Sequence, residues 1–280
     1  MSKNFEPVTY VHGSKLLRKF KNEHSNDIQN CISNYEIWKS NSLNVTGRSK
    51  DDVSKLVDYL NVYKDAVEPF FDKRANSAQE VLQPSILEEF FEYLFCNIQE
   101  IIGRELLRKP ASGYIDLIFN PSSVQALVEQ PEYTIRQKDH DFVLGVQVKL
   151  NISTNSNIVD STNIVIPAVA IECKRYLERN MLDECAGTAE KVKRATPYCK
   201  YYVVSEFLKM DDASPEITAI DEIYIPRKQR NSDRLQPGFV PNPVCPDLVW
   251  DLYETCINHL KRIWWDPQSA LTKGKVFDFD

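Results

Sequence analysis

The chain has 280 residues, a formal net charge of −6 and 42% hydrophobic residues. This composition excludes a disordered chain and argues against nucleic-acid binding through overall charge. No run of about 18 apolar residues occurs, and the first residues lack the apolar segment of a secretory signal. The seven cysteines form no Cys-x-x-Cys pair. We therefore expect reduced thiols in a cytoplasmic protein without a membrane partner.

Residues 1–78 are predicted to form a helical N-terminal region. Between residues 10 and 75, apolar side chains recur at steps of three and four, with a polar break at 41–49. The first segment carries a basic face, which is explained by a solvated helix surface or, alternatively, by contact with phosphates. The basic side chains are Lys15, Arg18, Lys19 and Lys21.

Residues 84–108 show the clearest helical pattern, which begins at Pro84. Glu88 and Glu89 lie near its start, where carboxylates stabilise the helix dipole. The apolar residues form a broad stripe typical of a helix that packs on a core. They are Ile86, Leu87, Phe90, Phe91, Leu94, Phe95 and Ile98.

Residues 142–150 and 164–171 are predicted to be the two strands of one hairpin. Both segments are rich in β-branched and apolar residues, whereas residues 151–162 contain Asn, Ser, Thr and Asp. We expect the turn to be centred near residues 155–157.

This turn places Asp141 close to Ile171 and Glu172 on the opposite strand. Side chains on a strand alternate between faces, so Glu172 and Lys174 share one face. Asp141 joins them in only one of two neighbouring registers, because a slip of one residue reverses every side chain. The sequence does not determine which register occurs.

Two carboxylates and a lysine at one end of a hairpin have the chemistry of a metal-dependent phosphodiesterase. Carboxylates are ligands for Mg²⁺, which lowers the pKa of bound water and neutralises phosphate charge. The lysine can orient or deprotonate the attacking water. A surface ion pair explains Glu172 and Lys174 equally simply. The apolar strand before Glu172 favours the functional interpretation, because it is predicted to be buried on both faces.

Asp141 followed by Glu172-Cys173-Lys174 resembles the motif of PD-(D/E)xK nucleases. Over residues 84–96 and 135–206, the sequence is most similar to subunits of heterodimeric type II restriction endonucleases of the BbvCI kind. The resemblance implies an α/β fold whose core is a mixed sheet flanked by helices. It also implies Mg²⁺-dependent hydrolysis of double-stranded DNA at a specific sequence. Each subunit is then expected to cut one strand beside a second, identical or different, nuclease subunit.

The resemblance assigns metal binding to Asp141 and Glu172 and water activation to Lys174. It also allows one helix glutamate to reach the metal ion, and Glu88 is preferred over Glu89 for this role. The helix dipole alone explains both glutamates, so this alternative remains open.

Two other aspartates are alternatives to Asp141. Asp116 lies in a predicted strand at 113–119, and Asp139 lies two residues before Asp141. Asp141 is favoured over Asp116 because a plain hairpin joins it to the Glu-Cys-Lys segment. We expect His140 to be exposed and not catalytic.

The remainder of the predicted catalytic core, residues 79–226, follows the motif. A helix at 177–195 and a strand at 201–204 form a crossover that places the new strand parallel to the motif strand. A further short strand is predicted at 221–225. Glu206 is expected to be a surface residue.

Residues 227–280 are predicted to form a basic loop and a C-terminal helix that packs on the core. The loop holds the densest group of basic residues in the chain. Such side chains bind phosphates or base edges in DNA, although a solvated loop explains them equally. The candidate DNA-binding residues are Arg227, Lys228, Arg230 and Arg234.

Two further classes of function fit the same residues. One is a DNA-binding subunit with a degenerate site, and the other is a repair or recombination nuclease that recognises DNA structure. The presence of all three motif residues favours a subunit that cuts DNA.

Overall fold

A mixed five-stranded sheet forms the centre of the computed structural model, which describes residues 8–74, 82–129, 132–153, 158–262 and 264–276. The strand order is β1-β2-β3-β4-β5. The pairs β1–β2 and β2–β3 are antiparallel, and the pairs β3–β4 and β4–β5 are parallel. The strands are β1 (Leu107–Phe119), β2 (Tyr133–Ser153), β3 (Ile158–Leu177), β4 (Lys200–Leu208) and β5 (Glu222–Tyr224). The predicted α/β fold with helices flanking a mixed sheet is confirmed.

Helices supply the other layers of the fold. The sequence of helices is α1 (Val11–Lys19), α2 (Asn26–Asn44), α3 (Lys50–Arg74), α4 (Leu82–Leu94), α5 (Ile98–Ile102), α6 (Val124–Glu129), α7 (Arg179–Ala195), α8 (Pro246–Lys261) and α9 (Pro267–Lys273). No helix in the described ranges combines the length and apolar character that crossing a membrane requires.

The N-terminal helices and the sheet share one hydrophobic core. Trp38 of α2 stacks on Tyr63 of α3 at 4.8 Å between ring centroids, and Phe95 packs against Phe142 of β2. Tyr253 of α8 contacts the same Phe95. The helical character predicted for the N-terminal region is confirmed in α1, α2 and α3, whose buried residues belong to the same hydrophobic core as those of the sheet.

The single helix predicted at 84–108 is wrong in its second half. α4 ends at Leu94, and the short α5 ends where Gly103 adopts a left-handed conformation with φ of 69°. Gly103 N donates to Gln99 O at 2.8 Å and closes the last turn. Glycine takes this conformation without the steric penalty of a Cβ atom, so the helix stops and β1 begins at Leu107.

The predicted hairpin is present and is longer than its apolar segments, because β2 and β3 extend beyond them at both ends. Phe142 pairs with Ile171, and a register shift follows between Leu144 and Gly145. A Cβ atom on Gly145 would lie 2.5 Å from Ile166 O, so only glycine permits this close approach. The predicted turn at 155–157 lies outside the described residues.

The crossover predicted after the motif is confirmed. α7 connects β3 to the parallel strand β4, and Glu172 pairs in register with Val203. The short strand predicted at 221–225 corresponds to β5. The end of β3 that carries the motif is consequently held between β2 and β4, at the centre of the sheet.

Candidate active site

The pairing of β2 with β3 brings Asp141 next to Glu172. Phe142 and Ile171 are the outermost pair at this end of the hairpin, and one further step in the same register sets Asp141 opposite Glu172. This is the register in which both share a face with Lys174. Asp141 Oδ2 accepts a hydrogen bond from Cys173 N at 2.7 Å. The backbone of β3 thus restrains the carboxylate of Asp141 beside Glu172.

Lys174 completes the group. Its Nζ lies 3.3 Å from Glu172 Oε2, and about a quarter of its side chain is exposed. Burial alone would lower the pKa of Lys174, but the charges of Glu172 and Asp141 outweigh burial and hold the pKa above its usual value. Lys174 is therefore protonated at neutral pH in this environment.

The two carboxylates are in different electrostatic states. Burial, together with the negative charges of Glu172 and Glu88, raises the pKa of Asp141 to about 7. Burial also acts to raise the pKa of Glu172, but a hydrogen bond from His140 and the charge of Lys174 outweigh it, so the pKa is lowered. Such separated carboxylate pKa values are typical of a functional site.

The expectation that His140 is exposed is wrong. Its side chain is fully buried, and Nδ1 lies 3.0 Å from Glu172 Oε1. Between the pairs Lys109–Val143 and Ala111–His140, β2 contains one residue more than β1. Such a bulge interrupts the alternation of side chains and redirects the residue beside it. A sequence pattern based on strict alternation does not reveal this.

Glu88 and Glu89 of α4 have separate surroundings. Glu88 Oε2 accepts from Lys15 Nζ at 2.8 Å, and its charge acts on Asp141. Burial raises the pKa of Glu88, an effect that Lys15 opposes. Glu89 instead binds the N-terminal helices, because it accepts from Gly13 N of α1 and from the Tyr35 hydroxyl of α2. It also accepts from the hydroxyl of Tyr93 on its own helix.

The two alternative aspartates are exposed and hydrogen-bonded to other residues. Asp116 is exposed and accepts from Leu117 N, and its strand position is paired with Arg136, five residues before Asp141. Asp139 is exposed and accepts a hydrogen bond from Ser112 on β1. Asp141 is the aspartate that the fold brings to the Glu-Cys-Lys segment.

The donor set suits a hard divalent cation. Asp141, Glu172 and Glu88 repel one another in a largely buried site, and a bound cation relieves this repulsion. Among the residues that the structure describes, no three His, Cys, Asp or Glu side chains form a metal cluster. Two carboxylates fit Mg²⁺, which usually keeps several waters and takes its other ligands from phosphate.

The basic loop begins with a residue that is not available to DNA. Arg227 is 1% exposed, and its guanidinium binds Glu206 and Glu68. Glu206 is also completely buried, so its expected surface position is wrong. Lys64 and Arg175 complete this buried ion cluster.

The other three residues of the loop remain at or near the surface. Lys228 and Arg230 are exposed, and Arg230 pairs with the exposed Asp211. Arg234 is partly exposed and lies 2.9 Å from Asp72. Contact of these three residues with DNA remains a prediction, whereas Arg227 forms ion pairs inside the protein.

Comparisons with known proteins agree with the fold and identify the family. No curated protein matches the sequence. The solved structure described as "native BbvCI A2B2 tetramer at low resolution" matches with a TM-score of 0.67 and 22% sequence identity, covering 90% of this chain and 96% of that chain. A family model, the Bpu10I restriction endonuclease, matches residues 79–237. That match covers more than half of the chain and includes Asp141, Glu172 and Lys174, and the chain accordingly belongs to the Bpu10I restriction endonuclease family.

Proposed function

We propose that this chain is one subunit of a type II restriction endonuclease that hydrolyses one strand of double-stranded DNA at a specific sequence, with Mg²⁺ as its cofactor. The observation that carries the proposal is the convergence of Asp141, Glu172 and Lys174 on one strand pair, in a chain of a restriction endonuclease family. The proposed catalytic unit comprises residues 79–226, with helices before it and the basic loop and α8 after it.

Asp141 and Glu172 would hold the metal ion. Mg²⁺ supplies Lewis-acid chemistry there, by lowering the pKa of water and neutralising phosphate charge. Cys173 N restrains Asp141 at 2.7 Å, so the carboxylate does not have to be ordered when the cation binds. Glu88 adds negative charge to the site from its ion pair with Lys15.

Lys174 acts as a charged donor in this mechanism. In this protonated form its amine can orient the attacking water and offset negative charge on the phosphate. Exposure of about a quarter of the side chain keeps Nζ accessible to a DNA phosphate.

DNA would be held in part by Lys228, Arg230 and Arg234. Their charged groups are at or near the surface, on a loop fixed to the core through the neighbouring Arg227. A second nuclease subunit would cut the other strand. The matched structure is described as an A2B2 tetramer, which supports assembly with a partner.

Cleavage of supercoiled plasmid by the purified chain, with Mg²⁺ and with EDTA, tests the proposal. Discrete linear fragments would indicate a self-sufficient homodimer, whereas site-specific nicking would indicate a subunit that needs a different partner. The Lys174→Glu variant is expected to bind DNA without cutting it. Lys149→Glu is the matched control, because Lys149 is exposed on the same hairpin.

Bound but intact plasmid leaves two explanations, an obligate heterodimer or a degenerate site. Addition of the protein encoded beside this chain distinguishes them. Cutting that appears only with the partner, and disappears with Lys174→Glu, supports the proposal. Random degradation, or cutting that follows DNA structure, would favour a repair nuclease instead.

A further inference from the structure

His140 is the buried group in direct contact with a carboxylate of the proposed metal site. Its Nδ1 lies 3.0 Å from Glu172 Oε1, and its side chain has no exposed area. Lys174 Nζ contacts the other oxygen of the same carboxylate, Oε2. Glu172 is consequently held at both oxygens by neighbours from the same sheet.

The contact determines which ring nitrogen of His140 carries a proton. An ionised carboxylate only accepts hydrogen bonds, so Nδ1 must be the donor. Nε2 is buried and has no hydrogen-bond partner among the described residues. The imidazole therefore directs one N–H group at Glu172.

Packing allows the ring little freedom to turn away. Tyr201 of β4 contacts it edge-on, with 5.8 Å between ring centroids. On the β1 side, a Cβ atom on Gly113 would lie 3.0 Å from Cδ2 and Nε2 of His140. The absence of a side chain at Gly113 thus makes room for the imidazole. A donor fixed on both sides can fix its acceptor in turn.

From these contacts we propose that His140 is a positioning residue that holds Glu172 in the orientation required to bind the metal ion. The inference rests on the proposed function, because it concerns the same site. In this role His140 would contact Glu172 and neither substrate nor metal. It acts through Glu172 Oε1 and leaves Oε2, beside Lys174, for the cation. Groups that orient a metal ligand in this way typically contribute 10–100-fold to metal affinity.

Two isosteric substitutions separate the hydrogen bond from the shape of the side chain. Asparagine has the same branching as leucine and places an amide nitrogen near the position of His140 Nδ1, whereas leucine supplies no donor. The affinity of the full-length chain for Mn²⁺, measured by isothermal titration calorimetry, gives a readout independent of cleavage. The Mg²⁺ concentration that gives half-maximal plasmid cleavage gives a second readout.

We expect His140→Leu to weaken Mn²⁺ binding by about 10–100-fold and to raise the Mg²⁺ requirement similarly. His140→Asn should remain within about threefold of the unmodified chain, although both substitutions lower the melting temperature. Equal affinities in all three proteins would overturn the inference. Equal losses in both variants would also overturn it, because shape and not the donor would then be responsible.

Gly113→Ala provides a second test that leaves the histidine in place. Its new methyl group would press on the imidazole, so Mn²⁺ binding should weaken in the unmodified background and change little in the His140→Asn background. Equal effects in both backgrounds would contradict the inference. This comparison also decides the matter if His140→Leu does not fold.

His259 is the matched control for loss of a buried histidine. It lies on α8 and stacks on Trp264 at 5.2 Å between ring centroids, away from the motif. His259→Leu should lower the melting temperature without changing Mn²⁺ affinity. Failure of the unmodified chain to bind Mn²⁺ or Mg²⁺ would overturn the proposed function. Mn²⁺ binding that is unchanged by substitution of His140 would overturn this inference and leave the proposed function intact.

Discussion

Glu206 of β4 and Arg227 of the basic loop form an ion pair inside the protein, in which Arg227 Nε donates to Glu206 Oε2 at 2.8 Å. Lys64 of α3 lies 2.8 Å from the other oxygen of Glu206, and Arg175 is 2.9 Å from Oε2. These contacts join the N-terminal helices, the strand that carries the motif and the basic loop. The carboxylate of Glu206 therefore links three separate parts of the fold through ion pairs.

Glu206→Ala is expected to destabilise the fold by about 3–5 kcal/mol, because it leaves buried cations without their partner. Urea unfolding followed by circular dichroism measures this change. Asp211→Ala is the control, since its partner Arg230 is exposed, and it should cost less than about 1 kcal/mol. Similar small effects at both positions would mean that the buried cluster contributes little to stability.

Acidification should reveal the buried imidazole of His12. The two ring nitrogens of His12 are hydrogen-bonded to the hydroxyls of Ser85 and Tyr63. Burial, together with the positive charge of Lys64, lowers the pKa of His12 from 6.5 to about 3. The unfolded chain then binds more protons, so stability is lost as the pH falls below 6.5 towards 3. Between pH 7 and pH 5 this loss amounts to about 2 kcal/mol.

The measurement compares unfolding free energies of the unmodified chain and His12→Gln at both pH values. The difference between the two proteins isolates His12 from opposing groups such as Glu92, whose pKa burial raises to about 7. Protonation of Glu92 stabilises the folded protein as the pH falls, so its contribution has the opposite sign to that of His12. An identical pH dependence in both proteins would show that His12 titrates normally in the folded state.

Local patterns were sufficient to predict the hairpin, the crossover and the placement of Glu172 and Lys174 on one face of β3, whereas the catalytic roles of these residues remain predictions. Asp141 and Glu172 lie on adjacent strands, and runs of apolar residues identify those strands without knowledge of the rest of the fold. The register next to Asp141 required the structure, because the shift at Gly145 depends on close contact with Ile166. A difference of one residue decides whether Asp141 enters the site.

Long-range contacts explain what the sequence did not predict. Arg227 looks like part of a basic surface run, but Glu68, 159 residues earlier, draws it into the interior. Glu206 is paired with Lys64 across 142 residues. The burial of His140 has a different cause, because a bulge between β1 and β2 turns its side chain towards Glu172. Neither effect leaves a signal in local periodicity.

Replacement of Glu88 distinguishes a metal ligand from a neighbouring charge. Glu88 pairs with Lys15, so we expect Glu88→Gln to weaken Mn²⁺ binding by less than about tenfold, the lower end of the range for groups outside the ligand set. Glu89→Gln is the control, because Glu89 binds Gly13, Tyr35 and Tyr93. A loss in Glu88→Gln as large as that in Glu172→Gln would instead make Glu88 a ligand.

Substitutions in the basic loop should change the salt dependence of DNA binding. Lys228→Ala and Arg230→Ala each remove one exposed charge, and each should lower the slope of log affinity against log salt by about 0.9 if it contacts a phosphate. Fluorescence anisotropy with a labelled duplex gives the slope. Lys55→Ala, exposed on α3, serves as the control. Unchanged slopes for the loop variants would mean that these side chains are solvated and do not contact DNA phosphates.

The central claim is that Asp141, Glu172 and Lys174 form the catalytic site. Single-turnover cleavage of plasmid, with the partner subunit where one is required, tests it most directly in isosteric variants. Asp141→Asn and Glu172→Gln should each reduce the rate by about 100-fold or more, with DNA binding retained. Asp116→Asn and Asp139→Asn should remain within about threefold of the unmodified enzyme. Full activity in Asp141→Asn, with loss in Asp116→Asn or Asp139→Asn, would contradict the account.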